Sequence, residues 1–179
     1  MGYMDELWPI EGHSFYDIND TNFQVHIKWS KNIKKDYQKL SEEFFECGYK
    51  ICEKIVDCGH DNIKSDMWFF PSMYLFRQGM ELGIKALICG AITNKGKIQQ
   101  VFLSCKHDLY KLFEAYEAEA FLAITGEEYN WLKKYLQSLE MVDAKSDLFR
   151  FPLEDEFLST YRNEFLDIVD MANSMLQAY

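Results

Sequence analysis

Proline is scarce in this 179-residue chain, which contains only Pro9, Pro71 and Pro152. Long stretches without proline, broken by few glycines, do not suit the short turn-bounded strands of a sandwich or barrel, and they favour helices. Paired cysteine is lacking as well. Cys47, Cys52, Cys58, Cys89 and Cys105 make an odd set of five without a C-x-x-C, so no disulfide framework is read and reduced thiols in a cytosol are expected. No unbroken apolar run approaches the roughly 20 residues that a membrane helix needs. The opening MGYMDELWPIEG is acidic and has no basic segment followed by an apolar stretch, so no secretion signal is expected there. A soluble, cytoplasmic protein follows as the expectation, with no membrane partner.

Positive charge is the next shortage. Nineteen basic residues face twenty-nine acidic ones, for a net charge of −10. Such a field repels polyphosphate at long range and argues against generic nucleic-acid binding. The local exception, Lys31, Lys34, Lys35 and Lys39, reads first as a solvated helix face. Signature motifs are absent too: no G-x-x-x-x-G-K-[ST], no strand-borne G-x-G-x-x-G, no G-x-S-x-G and no H-E-x-x-H. Cys58 and His60 have no second ligand cluster at zinc-finger spacing. The acidic groups Glu42, Glu43, Glu46 and Glu154, Asp155, Glu156 lack the E-x-x-H partners of a di-iron bundle. No metal and no cofactor are expected.

What is abundant is core material. Hydrophobic residues make up 48% and aromatics 16%, enough for one domain with one continuous core and too much for a disordered chain. Residues 1–29 read as an irregular lead-in with DINDTN as a turn signal. FQVHIKW at 23–29 alternates, either as a short strand or as the first turns of the helix that follows. From about 30 to 58 the helical period is strong. Ile33, Tyr37, Leu40, Phe44, Cys47, Ile51, Ile55 and Cys58 share one face, and Phe45, Tyr49, Cys52 and Val56 form a second strip. A helix with two apolar faces needs two partners, either other helices or a second subunit.

Gly59 marks a stop, and Pro71 suits the opening turn of the next helix, which runs to about Ala91. Gly83 inside it suggests close approach by a neighbour. TNKGK at 93–97 reads as a polar loop, 107–119 as a third helix, and a fourth begins near Glu127, with Thr125 and Glu128 as a capping box. A last helix is expected over 154–178, with Phe157, Tyr161, Phe165, Ile168 and Met171 or Met175 on one face. The whole of 30–179 is expected to be a single all-α domain, an antiparallel bundle of four to five helices.

Two clusters carry the candidate chemistry. Arg77, Glu81 and Lys85 recur at four-residue steps, in a sector shared with Tyr74, Ile84 and Ile88. That mixture places them at the edge of a groove, as a salt ladder or as a ligand site; an exposed pair of this kind contributes only about 0.3–0.5 kcal/mol. His107 beside Asp108 could be an acid–base pair, since histidine titrates near neutrality. Asp108 is equally an ordinary helix-start charge.

FRQGMELGIKALICG, followed by a polar loop and KHDLYKLFEAY, resembles the HEPN superfamily (higher eukaryotes and prokaryotes nucleotide-binding domain). Glu81, Lys85, Ala86, Leu87, His107, Asp108 and Leu109 match its E-x-x-L/I-K-A-L and H-D-L segments. Phe149, Arg150, Phe151 and Pro152 resemble the segment before the last helix of some members, and the resemblance spans roughly 30–178. It implies an antiparallel four- or five-helix bundle that often dimerises through its long helices. Catalytic members are metal-independent RNases with an Arg-x4-6-His motif paired across the dimer. Here Arg77, Arg150 and Arg162 are the three arginines, and none has a histidine five to seven residues later. No catalytic pair is therefore carried over.

Three functional expectations result. The leading one is a non-catalytic, homodimeric interaction domain, of the kind the resemblance associates with nucleotidyltransferase or toxin partners in microbial toxin–antitoxin or antiviral systems. The second is an RNase or nucleotide-binding protein with a rearranged site, for which Arg77, Glu81, Lys85, His107 and Arg150 are the candidates: cations for phosphate and a histidine for proton transfer. The third is an acidic inhibitor or antitoxin of a basic partner.

Overall fold

Asn32 starts the first helix by accepting the Lys35 N–H on its side-chain oxygen at 3.2 Å, which satisfies one of the donors that a helix start leaves unpaired. The computed structural model describes residues 28–59, 62–120, 126–143 and 166–179. They form six helices: α1 Ile33–Asp57, α2 Asn62–Ala91, α3 Lys95–Cys105, α4 Leu109–Ala120, α5 Glu127–Val142 and α6 Ile168–Ala178. No strand occurs among the described residues. The chain is all-α. Residues 23–27 of the alternating FQVHIKW segment lie outside the described residues, and Trp29 beyond them is non-helical and exposed.

α1 and α2 form an antiparallel pair, the most extensive helix–helix contact of the fold. Lys34 near the start of α1 lies over Gly90 near the end of α2, and Gly48 of α1 lies against Phe76. The buried seam of α1 is Ser41, Phe45, Gly48, Cys52 and Ile55. That seam runs between the two apolar strips instead of along either one. The reason is size: Ser41 and Gly48 are small, so the α2 backbone approaches there. A Cβ on Gly79 would stand 2.4 Å from the Phe45 ring and 3.3 Å from the Ser41 carbonyl oxygen. Ser41 Oγ donates to the Gly79 carbonyl at 2.7 Å across the crossing. Gly83 also faces this crossing, with Ser41 Oγ 3.1 Å from where its Cβ would be, but Gly79 is the tighter point.

α2 is the central rod. Met73, Phe76, Met80, Leu82, Ile84, Ala86 and Ile88 are all buried, as expected of a helix surrounded by others. It begins nine residues ahead of Pro71, which therefore lies inside the helix and not in its opening turn. Proline forfeits one ladder bond, and here it does so on an exposed side of the helix. α3 corrects the reading of 93–97 as a loop. Asn94 accepts the Lys97 N–H at 3.1 Å, and Ile98 and Cys105 are buried beneath the helix it starts. This helix raises the count among the described residues to six, above the four or five expected.

α4 packs on α2, α3 and α5. Lys97 near the start of α3 pairs with Glu119 near the end of α4 at 2.6 Å, and Lys133 of α5 pairs with Glu117 at 2.9 Å. Gly126 occupies the cap position of α5 without a side-chain bond; the expected Thr125 cap lies outside the described residues. A helix continuous from 154 to 178 is not what the structure has. Leu166 and Asp167 are non-helical, and Asp167 accepts the N–H groups of Val169 at 2.8 Å and Asp170 at 3.1 Å to begin α6 afresh. An aspartate that bonds its own following backbone competes with helix continuation. Ala172 and Met175 bury the inner face of α6, and Tyr179 stacks on Phe45 with ring centroids 3.9 Å apart.

Candidate functional site

Arg77 sits on the apolar stripe of α2, in line with Met73, Met80 and Ile84. It is 0% exposed, and Glu81 one turn on is 1% exposed. The two are buried inside the bundle and not at the edge of a groove, because α4 and α5 close over this side of α2. Removing an unpaired guanidinium from water costs several kcal/mol, so the surroundings must supply acceptors, and they do. Arg77 Nη2 donates to the His107 carbonyl at 2.7 Å and to the Asp143 carbonyl at 3.1 Å. Its Nη1 donates to Glu81 Oε2 at 3.5 Å. Its Nε faces Asp143 Oδ2 at 3.0 Å as an ion pair without the alignment of a hydrogen bond. Glu140 Oε2 stands 3.9 Å from Nη2.

Glu81 is shared three ways. Besides Arg77 it takes the Lys85 ammonium at 2.5 Å and the His107 ring, whose Nδ1 lies 3.1 Å from both carboxylate oxygens. Lys85 is mostly buried and also lies over the Phe102 ring of α3, 5.4 Å from its centroid. Tyr37 of α1 meets the same ring edge-on at 5.8 Å. The ladder therefore does not run along a solvated face. It ties α2 to α3, to the turn before α4 and to the end of α5.

His107 and Asp108 belong to the tight junction between α3 and α4. Lys106 there takes φ 54°, the left-handed region that a non-glycine residue enters only when its surroundings hold it. Asp108 caps α4: Oδ1 accepts the Lys111 N–H at 2.8 Å, and Oδ2 pairs with the Lys111 ammonium at 2.7 Å. That engagement raises the Lys111 pKa. The Leu109 N–H, another unpaired donor of this helix start, goes to Glu140 Oε2 at 3.1 Å. His107 and Asp108 thus face different partners. The His107 side chain is 57% exposed and held by Glu81, and Asp108 is spent on the cap. They do not form an acid–base pair with each other.

Arg150 lies outside the described residues, as do Phe149, Phe151 and Pro152. Of the candidates, the structure brings Arg77, Glu81, Lys85 and His107 together. It adds Glu140 and Asp143, which the sequence reading did not select. Their signal was present. Leu132, Leu136 and Leu139 set the inward stripe of α5, and Asp143 falls one turn further on that stripe, where a charge requires a partner. Burial pushes the Glu140 carboxyl up to about 7, and the nearby Asp108 and Asp143 charges add to the rise, while the Leu109 N–H and Arg77 pull the other way.

As chemistry, the two cations that α2 brings to this junction, Arg77 and Lys85, are already engaged. The guanidinium is fully enclosed, and the ammonium is shared between a carboxylate and a ring. Among the described residues no group of three His, Cys, Asp or Glu side chains could hold a metal ion, and no helix is long and apolar enough to cross a membrane. A cavity of about 550 Å³ lies elsewhere, between α1, α2, α4, α5 and the end of α6, with Met80, Ile84, Phe113 and Leu136 on its walls. No protein-family model, curated protein or solved structure matches this chain.

Proposed function

We propose that the chain is a HEPN-like helical domain that works by protein contact, as a homodimer, and does not use its charged junction for catalysis. The observation that carries this reading is the burial of Arg77 and Glu81, 0% and 1% exposed, with the guanidinium spent on His107, Asp143 and Glu81. A cation that must stabilise a developing phosphate charge has to reach it, and this one is closed off by the bundle's own backbone.

The apolar surface supports the contact role. Because the α1 seam runs between its two strips, Tyr49 and Val56 stay exposed, and Ile63, Met67 and Trp68 at the start of α2 extend the apolar surface beyond the turn. Exposed aliphatic and aromatic groups grouped at one end of a helical pair are the usual material of a protein interface. We assign that end of the α1–α2 pair to the second copy. The resemblance in Glu81–Leu87 and His107–Leu109 supports a place in a microbial toxin–antitoxin or defence system, beside a nucleotidyltransferase or toxin.

Light scattering at micromolar concentration should give twice the chain mass, and Val56→Lys with Met67→Lys should return a folded monomer. A monomeric wild type contradicts the dimer. RNA left intact by the purified protein fits the non-catalytic role; cleavage that disappears in His107→Ala would establish the opposite.

A further inference from the structure

We propose that the Glu140 carboxyl is a proton-operated latch between the end of α5 and the start of α4. Three elements meet on it. The Leu109 N–H, at the start of α4, donates to Oε2 at 3.1 Å. Arg77 of α2 approaches the same oxygen to 3.9 Å. Asp143, on its own element, is held to Arg77 Nε at 3.0 Å. Asp108 faces it from the α3–α4 junction and is itself paired with Lys111 at 2.7 Å.

The charge balance of this junction is uneven. Glu81, Asp108, Glu140 and Asp143 are its acidic groups, and Arg77, Lys85 and Lys111 are its paired cations. The His107 ring pairs with Glu81 and not with Glu140. An ionised Glu140 therefore adds a negative charge beside Asp108 and Asp143 that the three cations do not offset, in a place where burial already disfavours it. With its proton on, the carboxyl still accepts the Leu109 N–H and no longer repels its two neighbours. Ionisation keeps that hydrogen bond but sets α5 against the capped start of α4.

The proton linkage has a definite sign. The folded-state value of about 7 lies above the ordinary 4.5, so folding takes up a proton. The stabilisation is complete below the ordinary value, fades as pH rises between the two, and is gone above the folded-state value.

Carboxyl carbon NMR on the full chain tests the first half: Glu140 should titrate with a midpoint near 7. Amide exchange tests the second half. After correction for intrinsic rates, protection of the Leu109 and Tyr110 amides should fall several-fold from pH 5 to pH 8 in the wild type and stay level in Glu140→Gln. That variant should melt level with the wild type at pH 4 and several degrees above it at pH 8. A Glu140 midpoint in the ordinary carboxyl range, or wild-type protection that does not change with pH, overturns the latch. Both of those readouts use the wild type, so they decide the matter even if the variant does not fold.

Discussion

The first and middle thirds of α2 invert the usual relation between polarity and burial. Ile63 and Met67 are 78% and 67% exposed, while Arg77 and Glu81 are sealed within the bundle. The same helix carries both. What differs is the neighbourhood: Ile63 and Met67 flank the turn at one end of the α1–α2 pair, whereas α3, α4 and α5 close over the middle. Burial here follows the position of the other helices, and polarity is accommodated afterwards. Apolar residues left outside stay available for another chain. Charged residues trapped inside are matched, Arg77 with carboxylates and backbone carbonyls and Glu81 with cations and the His107 ring.

The largest effect should come from breaking the buried side of this contrast. Arg77→Ala removes the guanidinium that Glu81 and Asp143 share, and removal of one partner from a buried ionic cluster costs about 3–5 kcal/mol. Urea unfolding should show that loss as a lower midpoint. Next comes the α1–α2 crossing, where Gly79→Ala drives a methyl into the Phe45 ring and should cost about 1–3 kcal/mol. Gly83→Ala, with looser surroundings, should cost less in the same measurement. The exposed side should barely respond: Ile63→Lys and Met67→Lys should leave unfolding free energy within about 0.5 kcal/mol of wild type. Those two variants should act on sedimentation or light scattering instead, by weakening self-association. A large stability loss from Ile63→Lys would mean that this end is covered within the chain, and the contrast would fail.

Much of the helical layout was legible in the sequence, because it depends on period and punctuation. The 3.6 spacing in residues 30–58, the Gly59 stop and the Asp108 cap are local features, and local rules describe them. What escaped depends on which helix lies against which. The α1 seam was misplaced because Ser41 and Gly48 carry no hydropathy signal, although their small size is what admits α2. Pro71 suits a start as well as an interior by sequence, because only packing tells a helix that absorbs a proline from one that begins at it. α3 leaves little trace in the sequence, because lysines and Gly96 in KGKIQQVFLSC hide a helix whose cap, Asn94, is its clearest mark. The site was half legible. Arg77, Glu81, Lys85 and His107 were visible as spaced charges, but their burial was not, since Glu140 and Asp143 enter from a helix far along the chain.

Arg77 is above all a buried structural tie. A double-mutant cycle between Arg77→Met and Asp143→Asn, followed by urea unfolding, measures that tie most directly. The single variants should be destabilised, with a coupling between them of about 1–3 kcal/mol. Single variants as stable as the wild type, with no coupling, would contradict it and return Arg77 to the candidates for ligand binding.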